Sequence, residues 1–195
     1  KEPNLDKLLN DKQLIGLKYY EDILQRIPRE EIDKHDLYLK GILKEIDPTA
    51  EMTIAGSYRR GLSDSGDIDI LLKGDTKLYK QFIQVLESKG YLYETLAKGA
   101  KKYNGMCKMW DFSTFRRIDI MITKPAEYPF AILYFTGSKE FNTKMRQHAL
   151  DLGYSMNEYS LTSTEDGTNI DENQFKVEKD IFKFLHLEYV DPCKR

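Results

Sequence analysis

Two aspartates separated by one residue, Asp67 and Asp69, constrain the fold of this 195-residue chain more than any other feature. Side chains at positions i and i+2 of a strand lie on one face, so both carboxylates face a common point while Ile68 and Ile70 face the core. Such a pair alone is also typical of a solvated strand edge. A third aspartate in the same alternating context, Asp119, favours a shared cation site instead.

The chemistry of three carboxylates suits hard divalent cations. Mg²⁺ prefers carboxylate oxygens, water and the phosphates of a substrate as ligands. Two such ions about 3.5–4 Å apart can activate an attacking oxygen and stabilise a leaving one. The sequence therefore predicts phosphoryl or nucleotidyl transfer at Asp67, Asp69 and Asp119.

The segment before these aspartates predicts a phosphate site. Gly56 permits a sharp turn, and Ser57 is predicted to cap a short helix whose first N–H groups attract anions. Arg59 and Arg60 follow, and the guanidinium group matches phosphate oxygens well. An ordinary helix cap followed by surface arginines is the alternative interpretation.

Composition sets wider limits on function. A net charge of −2 and a pI near 6.0 lack the basic excess typical of nucleic-acid-binding proteins, although basic residues cluster locally. No segment has the sequence of a membrane span or signal peptide. The few, scattered cysteines and histidines do not form a disulfide framework or zinc ribbon, which favours a reduced intracellular protein.

Hydrophobic periodicity and the positions of glycine and proline predict both helices and strands. Helices are predicted at residues 11–26, 29–46, 77–88, 129–135, 138–152 and 178–187. Strands are predicted at residues 52–55, 67–72, 91–96, 106–112 and 115–122, with two short strands near Tyr154 and Ser160.

At these motifs the chain resembles the family X DNA polymerases of the DNA polymerase beta type, over essentially its whole length. The resembling segments are residues 26–31, 56–72, 116–120, 134–138, 141–142, 145–146, 157–159 and 178–182. The resemblance implies an α+β fold, in which a nucleotidyltransferase-type palm with a mixed β-sheet flanked by helices is joined to a small α/β thumb subdomain. It implies a helical lead-in at residues 1–49, formed by a remnant of the fingers and the start of the palm, a palm at 50–126 and a thumb at 127–195.

The same resemblance implies a template-directed DNA polymerase that adds deoxynucleotides to a primer 3′-hydroxyl, filling short gaps in base excision repair. Asp67, Asp69 and Asp119 would hold two Mg²⁺ ions, or Mn²⁺ in their place, and Arg117 would lie beside the primer terminus. The residues implied to bind the nucleoside triphosphate are Arg26, Ser57, Arg60, Ser65, Gly66, Tyr134, Phe135, Gly137 and Asn142. Those implied to contact primer-template or gapped DNA are Lys98, Lys102, Tyr103, Arg146 and Tyr159.

Each of these roles has a structural alternative. Tyr134 and Phe135 could simply pack in the core, and the polar and basic residues could be ordinary solvated positions. Two residues depart from the beta-type pattern: Met121 replaces an arginine that can pair with a metal-binding aspartate, and Lys139 replaces an aspartate over the nucleotide base.

Wider alternatives concern the chain as a whole. Nothing in it resembles the lyase domain or the helix-hairpin-helix segments of the family, so we expect weak, salt-sensitive DNA binding and no lyase activity. We expect a monomer without membrane association, nuclear by resemblance, although a viral or cytoplasmic source also fits. A nucleotidyltransferase with a non-DNA acceptor and an inactive catalytic fragment are the competing functions.

Overall fold

The structure is a computed structural model that describes residues 9–195. Within this range no helix combines the length and apolar character needed to cross a membrane. Two lead-in helices come first, a five-stranded sheet with packed helices follows, and three helices with a short hairpin complete the chain.

The described residues form the following helices and strands. The helices are α1 (Asp11–Lys18), α2 (Tyr20–Leu24), α3 (Arg29–Ile46), α4 (Gly56–Arg59), α5 (Thr76–Ser88), α6 (Tyr128–Thr136), α7 (Lys139–Asp151) and α8 (Glu178–Phe184). The strands are β1 (Ile27–Pro28), β2 (Glu51–Ile54), β3 (Asp64–Ser65), β4 (Ile68–Lys73), β5 (Leu92–Lys98), β6 (Lys102–Cys107), β7 (Arg116–Thr123), β8 (Tyr154–Met156) and β9 (Leu161–Ser163). Single 3₁₀ turns lie at Glu172–Gln174 and Pro192–Lys194.

The central sheet is mixed, with the strand order β2-β4-β7-β6-β5. Strands β4 and β7 are parallel, and the other neighbouring pairs are antiparallel. One face of the sheet is covered by α3 and α5, whose apolar residues share a core with Ile68, Ile70, Ile118 and Ile120. This confirms the predicted α+β class, with a mixed sheet flanked by helices.

Helices α6, α7 and α8 and the β8–β9 hairpin pack around a second core, which includes Phe130, Met145 and Phe182. Ala131 and Ile132 of α6 belong to a third cluster, which reaches the sheet on the face opposite α3 and α5. Helices therefore cover both faces of the middle strands over part of their length, while Asp69, Arg117 and Asp119 remain partly exposed.

The predicted helix at residues 11–26 is interrupted at Tyr19. Its backbone leaves the helical conformation there, and its buried side chain packs on Phe115 and donates a hydrogen bond to Glu94. The chain continues as the separate helix α2 because tertiary packing at this residue outweighs local helix propensity.

The predicted strand at residues 106–112 is wrong. Strand β6 spans Lys102–Cys107 and begins directly after a tight turn, in which Gly99 N–H donates to the carbonyl of Lys102. Residues 108–112 form a loop with Trp110 76% exposed. Alternating apolar residues suggested a strand there, but several of them pack on α3 from a loop.

A buried ion pair fixes α3 against the start of β7. Arg116 donates two hydrogen bonds of 2.7 Å to the Glu31 carboxylate, and both side chains are 6% exposed. Burial opposes the ionised form of Glu31, but contacts with His35 and Arg116 outweigh it and lower the pKa of Glu31 to about 2. Since Arg117 follows directly, this pair also fixes the strand end that carries a predicted site residue.

We predict that Glu31→Gln lowers the free energy of unfolding by about 3–5 kcal/mol, because Arg116 is left as a buried, uncompensated charge. The depressed folded-state pKa of Glu31 means that its contribution is complete above about pH 4.5 and is lost as the pH falls towards 2. Urea unfolding at neutral and acidic pH measures both effects. Glu87→Gln, which breaks the exposed pair with Lys98, is the control and should cost about 0–1 kcal/mol; equal losses in the two variants would contradict the prediction.

Candidate active site

The register between β4 and β7 brings two of the three predicted acids together. Asp69 lies directly opposite Asp119 on these parallel strands, and Asp67 comes two residues before Asp69. The alternating neighbours Ile68 and Ile118 are fully buried beneath them. Alternation therefore places Asp69 and Asp119 on the face of the sheet opposite α3 and α5.

Gly56 packs directly against the Asp69 side chain. A Cβ atom at this position would lie 2.1 Å from Asp69 Oδ2, and the φ angle of Gly56 is +54°. The neighbouring N–H of Ala55 donates to the Asp69 carbonyl at 2.8 Å. A glycine is therefore required here both by its backbone conformation and by the close approach of a carboxylate.

Positive and polar groups contact Asp67 and Asp119. Arg117 donates to Asp67 Oδ2 at 2.5 Å, the Asn104 amide donates to Asp119 Oδ1 at 2.5 Å, and Lys102 Nζ lies 3.7 Å from Asp119 Oδ2. In this arrangement no three acidic, histidine or cysteine side chains of residues 9–195 are grouped tightly enough to hold a metal ion.

The surroundings of Asp69 nevertheless disfavour its ionised form. Burial raises the pKa of Asp69, and the charges of Asp67 and Asp119 raise it further, to about 7. Lys102 and Arg117 oppose this shift without cancelling it. A cation would favour the ionised form of Asp69 and relieve the repulsion among the three carboxylates, and an all-oxygen donor set of this kind fits a hard divalent cation.

A cleft of about 600 Å³ opens beside Asp67 and Asp69. Most of the residues predicted to bind the nucleotide line it, together with one residue predicted to contact DNA: Arg26, Ser57, Arg60, Gly66, Tyr134, Phe135, Gly137, Asn142 and Arg146. A smaller cavity beside it is lined by Asp69, Lys102, Asp119 and Phe135. A cleft of this volume is within the range of small-molecule binding sites.

Ser57 does not cap a helix, which corrects the sequence prediction. Ala55 is the N-cap of α4, and Ser57 lies inside that single helical turn. Its hydroxyl instead donates to the hydroxyl of Ser65 at 2.8 Å, and Ser65 is 1% exposed. Ser57 still lines the cleft, whereas Ser65 lies behind it and supports it.

The two consecutive arginines of the turn have different environments. Arg59 donates to Glu178 and to the hydroxyl of Thr136, forming a largely buried link from α4 to α6 and α8. Arg60 lines the cleft and donates one hydrogen bond to the Thr136 carbonyl at 2.7 Å. The sequence offered no signal for this division, because the partner Glu178 lies 119 residues from Arg59.

Arg26 reaches the cleft from the lead-in. It forms an ion pair with Asp64 at 2.7 Å, where β1 pairs with β3. A Cβ atom at Gly66 would lie 3.1 Å from Arg26 Nη1, so the glycine lets this guanidinium lie close to the backbone.

The residues predicted on α6 and α7 meet across the cleft. The Asn142 amide donates to the Tyr134 carbonyl at 2.7 Å. The Arg146 guanidinium lies 4.8 Å from the centre of the Tyr134 ring and 3.7 Å from Glu158. Tyr159, in the β8–β9 turn, lies under the Lys101 ammonium of the β5–β6 turn.

Two residues predicted to contact DNA lie away from the cleft. Tyr103 is fully buried, and its hydroxyl donates to the Glu94 carbonyl, so we correct its assignment to a core residue. Lys98 pairs with Glu87 of α5 at 2.6 Å, on the side of the sheet opposite Asp119. The contact of Lys98 with DNA stays a prediction.

Carboxylates on adjacent strands, a glycine turn packed against them and an arginine-lined cleft are typical of a nucleotidyltransferase palm. Residues 26–125 match the DNA polymerase beta palm family, and residues 131–195 match the DNA polymerase beta thumb family. The chain therefore belongs to the family X DNA polymerases of the DNA polymerase beta type.

Individual relatives are similar over nearly the whole chain. DNA polymerase lambda of Rattus norvegicus is 32% identical over 96% of the chain, and DNA polymerase lambda of Arabidopsis thaliana is 28% identical over 96%. The DNA nucleotidylexotransferase of Xenopus laevis is 27% identical over 98%. The chain matches 36%, 40% and 46% of the lengths of these relatives, respectively.

We predict that Asp69→Asn raises the free energy of unfolding by about 1–2 kcal/mol in the absence of divalent ions, because a neutral amide removes the cost of burying a charge and ends the repulsion from Asp67 and Asp119. The folded-state pKa is raised, so ionised Asp69 destabilises the fold increasingly as the pH rises from about 4 to about 7. Urea unfolding in a chelator should therefore show a larger gain at about pH 8 than at about pH 5.

The matched control for this prediction is Asp111→Asn. Asp111 is exposed, and its carboxylate lies 3.6 Å from Lys34 on the surface. This variant should change stability by less than about 0.5 kcal/mol at either pH. A loss of stability in Asp69→Asn at about pH 8 would refute the inference that the ionised carboxylate of Asp69 destabilises the fold.

Proposed function

We propose that this chain is the catalytic part of a template-directed DNA polymerase, which adds deoxynucleotides to a primer 3′-hydroxyl. The observation that carries the proposal is the position of Asp119. It lies opposite Asp69 in the sheet, and Asp69 borders the cleft that Arg26 and Arg60 line. Acids on one side and arginines on the other suit a reaction that brings a hydroxyl to a triphosphate.

We propose Asp67, Asp69 and Asp119 as ligands of two Mg²⁺ ions, for which Mn²⁺ can substitute. Bound there, the ions would neutralise phosphate charge and favour ionisation of the attacking hydroxyl. Asp119 is proposed to accept the proton of the primer 3′-hydroxyl. Arg117, now paired with Asp67, would exchange this contact for the primer terminus when the carboxylates bind cations.

The triphosphate is proposed to bind between Arg60 and Arg26. Arg60 donates one hydrogen bond to the Thr136 carbonyl, which holds its guanidinium at the cleft wall. Ser57 and Gly66 would add a hydroxyl and a backbone N–H between the two arginines, with Ser65 as support. Such donors stabilise charge on the transferring phosphates and hold them in position.

The helices α6 and α7 are proposed to bind the nascent base pair. Tyr134, Phe135 and Gly137 line the cleft where α6 ends, which suits contact with the sugar. Asn142 would face the incoming base and Arg146 the minor groove of the template, whose acceptors are largely shared by all base pairs. Lys102 and Tyr159 are proposed to contact the DNA backbone.

The wider setting belongs to the same proposal. We propose short-gap filling in base excision repair, a monomer, and a nuclear location, with a palm at residues 50–126 and a thumb at 127–195. The similarity to a DNA nucleotidylexotransferase keeps transfer to a DNA end without a template as the second candidate. Contacts of α7 with the cleft favour the template-directed reaction.

The test is single-nucleotide incorporation into gapped primer-template DNA with Mg²⁺, supplying each deoxynucleotide and ribonucleotide in turn. We predict incorporation of the complementary deoxynucleotide, and a loss of at least about 10³-fold in kcat for Asp119→Asn, because the proton acceptor and one cation ligand are lost. Rapid-quench measurements with saturating DNA give kcat and KM separately.

Control reactions separate the alternatives. Asp111→Asn, an exposed aspartate far along the β6–β7 loop, should keep wild-type rates. Incorporation on a single strand with no template would favour the second candidate. If wild-type protein at high DNA concentration incorporates nothing, the inactive-fragment alternative is correct; incorporation on RNA alone would indicate another acceptor.

A further inference from the structure

Asn104 lies beside the candidate active site and has no assigned role. It is the direct cross-strand partner of Asp119 between β6 and β7, as Asp69 is between β4 and β7. A row of three polar side chains thus crosses three adjacent strands, with Asp119 in the middle. The amide nitrogen of Asn104 donates to Asp119 Oδ1 at 2.5 Å.

We infer that Asn104 is a positioning residue for Asp119, an inference that rests on the proposed function. The terminal torsion of an aspartate is broad and roughly two-fold, so the strand alone does not fix the orientation of its carboxylate. The hydrogen bond from Asn104 fixes Oδ1. Oδ2 then remains available to a cation or a proton, with Lys102 Nζ 3.7 Å away.

The backbone on both sides of Asn104 is held firmly. Tyr103 is fully buried and donates its hydroxyl to the Glu94 carbonyl. A Cβ atom at Gly105 would lie 2.4 Å from that carbonyl oxygen and 2.4 Å from the Tyr103 hydroxyl. Strand β6 therefore has little freedom to move, and Asn104 presents its amide to Asp119 from a rigid support.

The chemistry of the amide suits this place. The Asn104 amide donates without adding charge, whereas an aspartate would bring a fourth carboxylate to a site that already holds Asp67, Asp69 and Asp119. A leucine of similar size would leave Asp119 Oδ1 without this donor. Partners that orient metal-binding carboxylates commonly change metal affinity or activity by about 10–100-fold when they are replaced.

The experiment compares Asn104→Leu with Asn104→His, whose Nδ1–H can occupy the place of the amide nitrogen. Asn169→Leu, in an exposed thumb loop, is the matched control. Two quantities are measured for each variant: the affinity for Mn²⁺ alone, by electron paramagnetic resonance of the free ion, and kcat and KM in single-nucleotide gap filling.

We predict that Asn104→Leu weakens Mn²⁺ binding and lowers kcat, each by about 10-fold, while KM for the deoxynucleotide changes less than about 3-fold. Asn104→His should recover part of both losses, and Asn169→Leu should behave as wild type. Urea unfolding checks that each variant is folded. If Asn104→Leu does not fold, the Mn²⁺ affinity and kcat of Asn104→His are compared with those of the wild-type protein instead.

The outcomes of the two measurements are distinguishable. Unchanged Mn²⁺ affinity in Asn104→Leu overturns the positioning role, whether or not the protein incorporates nucleotides. If Asn104→Leu binds Mn²⁺ more weakly than the wild-type protein does, but the wild-type protein incorporates no nucleotide, the positioning role stands and the proposed polymerase activity is refuted. A higher KM with unchanged kcat and unchanged Mn²⁺ affinity would assign Asn104 to substrate binding instead.

Discussion

The parallel hydrogen-bond register between β4 and β7 is the constraint on which the rest of the site depends. It sets Asp69 opposite Asp119 and buries Ile68 opposite Ile118. A slip of one residue would send the carboxylates into the apolar core and the isoleucines into the cleft. The two isoleucine rows beneath α3 and α5 therefore stabilise the fold and also hold the acids at the surface.

Concentrating three carboxylates destabilises the fold locally, and the structure shows how this is limited. Arg117 contacts Asp67, while Asn104 and Lys102 contact Asp119. Asp69 is the acid of the three whose pKa is raised. These partners are polar groups that a substrate or cation can displace. The site is thus held in a state in which cation binding relieves repulsion, in keeping with the strain that functional sites retain.

Much of the site could be predicted from the sequence, either because its residues follow local patterns such as strand alternation or because they lie in motifs that resemble those of the family. The acids and the turn at Gly56 are such features, and α3 was predicted within its observed bounds. Long-range contacts gave no comparable signal. The partner of Arg59 is distant in sequence, Ser57 contacts Ser65 instead of capping a helix, and Tyr103 is buried by packing that a local window does not contain.

Asn104 illustrates the same limit at the site itself. A single asparagine in a strand has low intrinsic β propensity and carries no motif, so only the β6–β7 register reveals its contact with Asp119. The cross-subdomain link behaves similarly: Thr136 accepts from Arg59 through its hydroxyl and from Arg60 through its carbonyl. The end of α6 is thereby tied to the turn that borders the cleft. A shift of α6 relative to the sheet would therefore break the contact between the Thr136 carbonyl and Arg60, or move the Arg60 side chain with the helix.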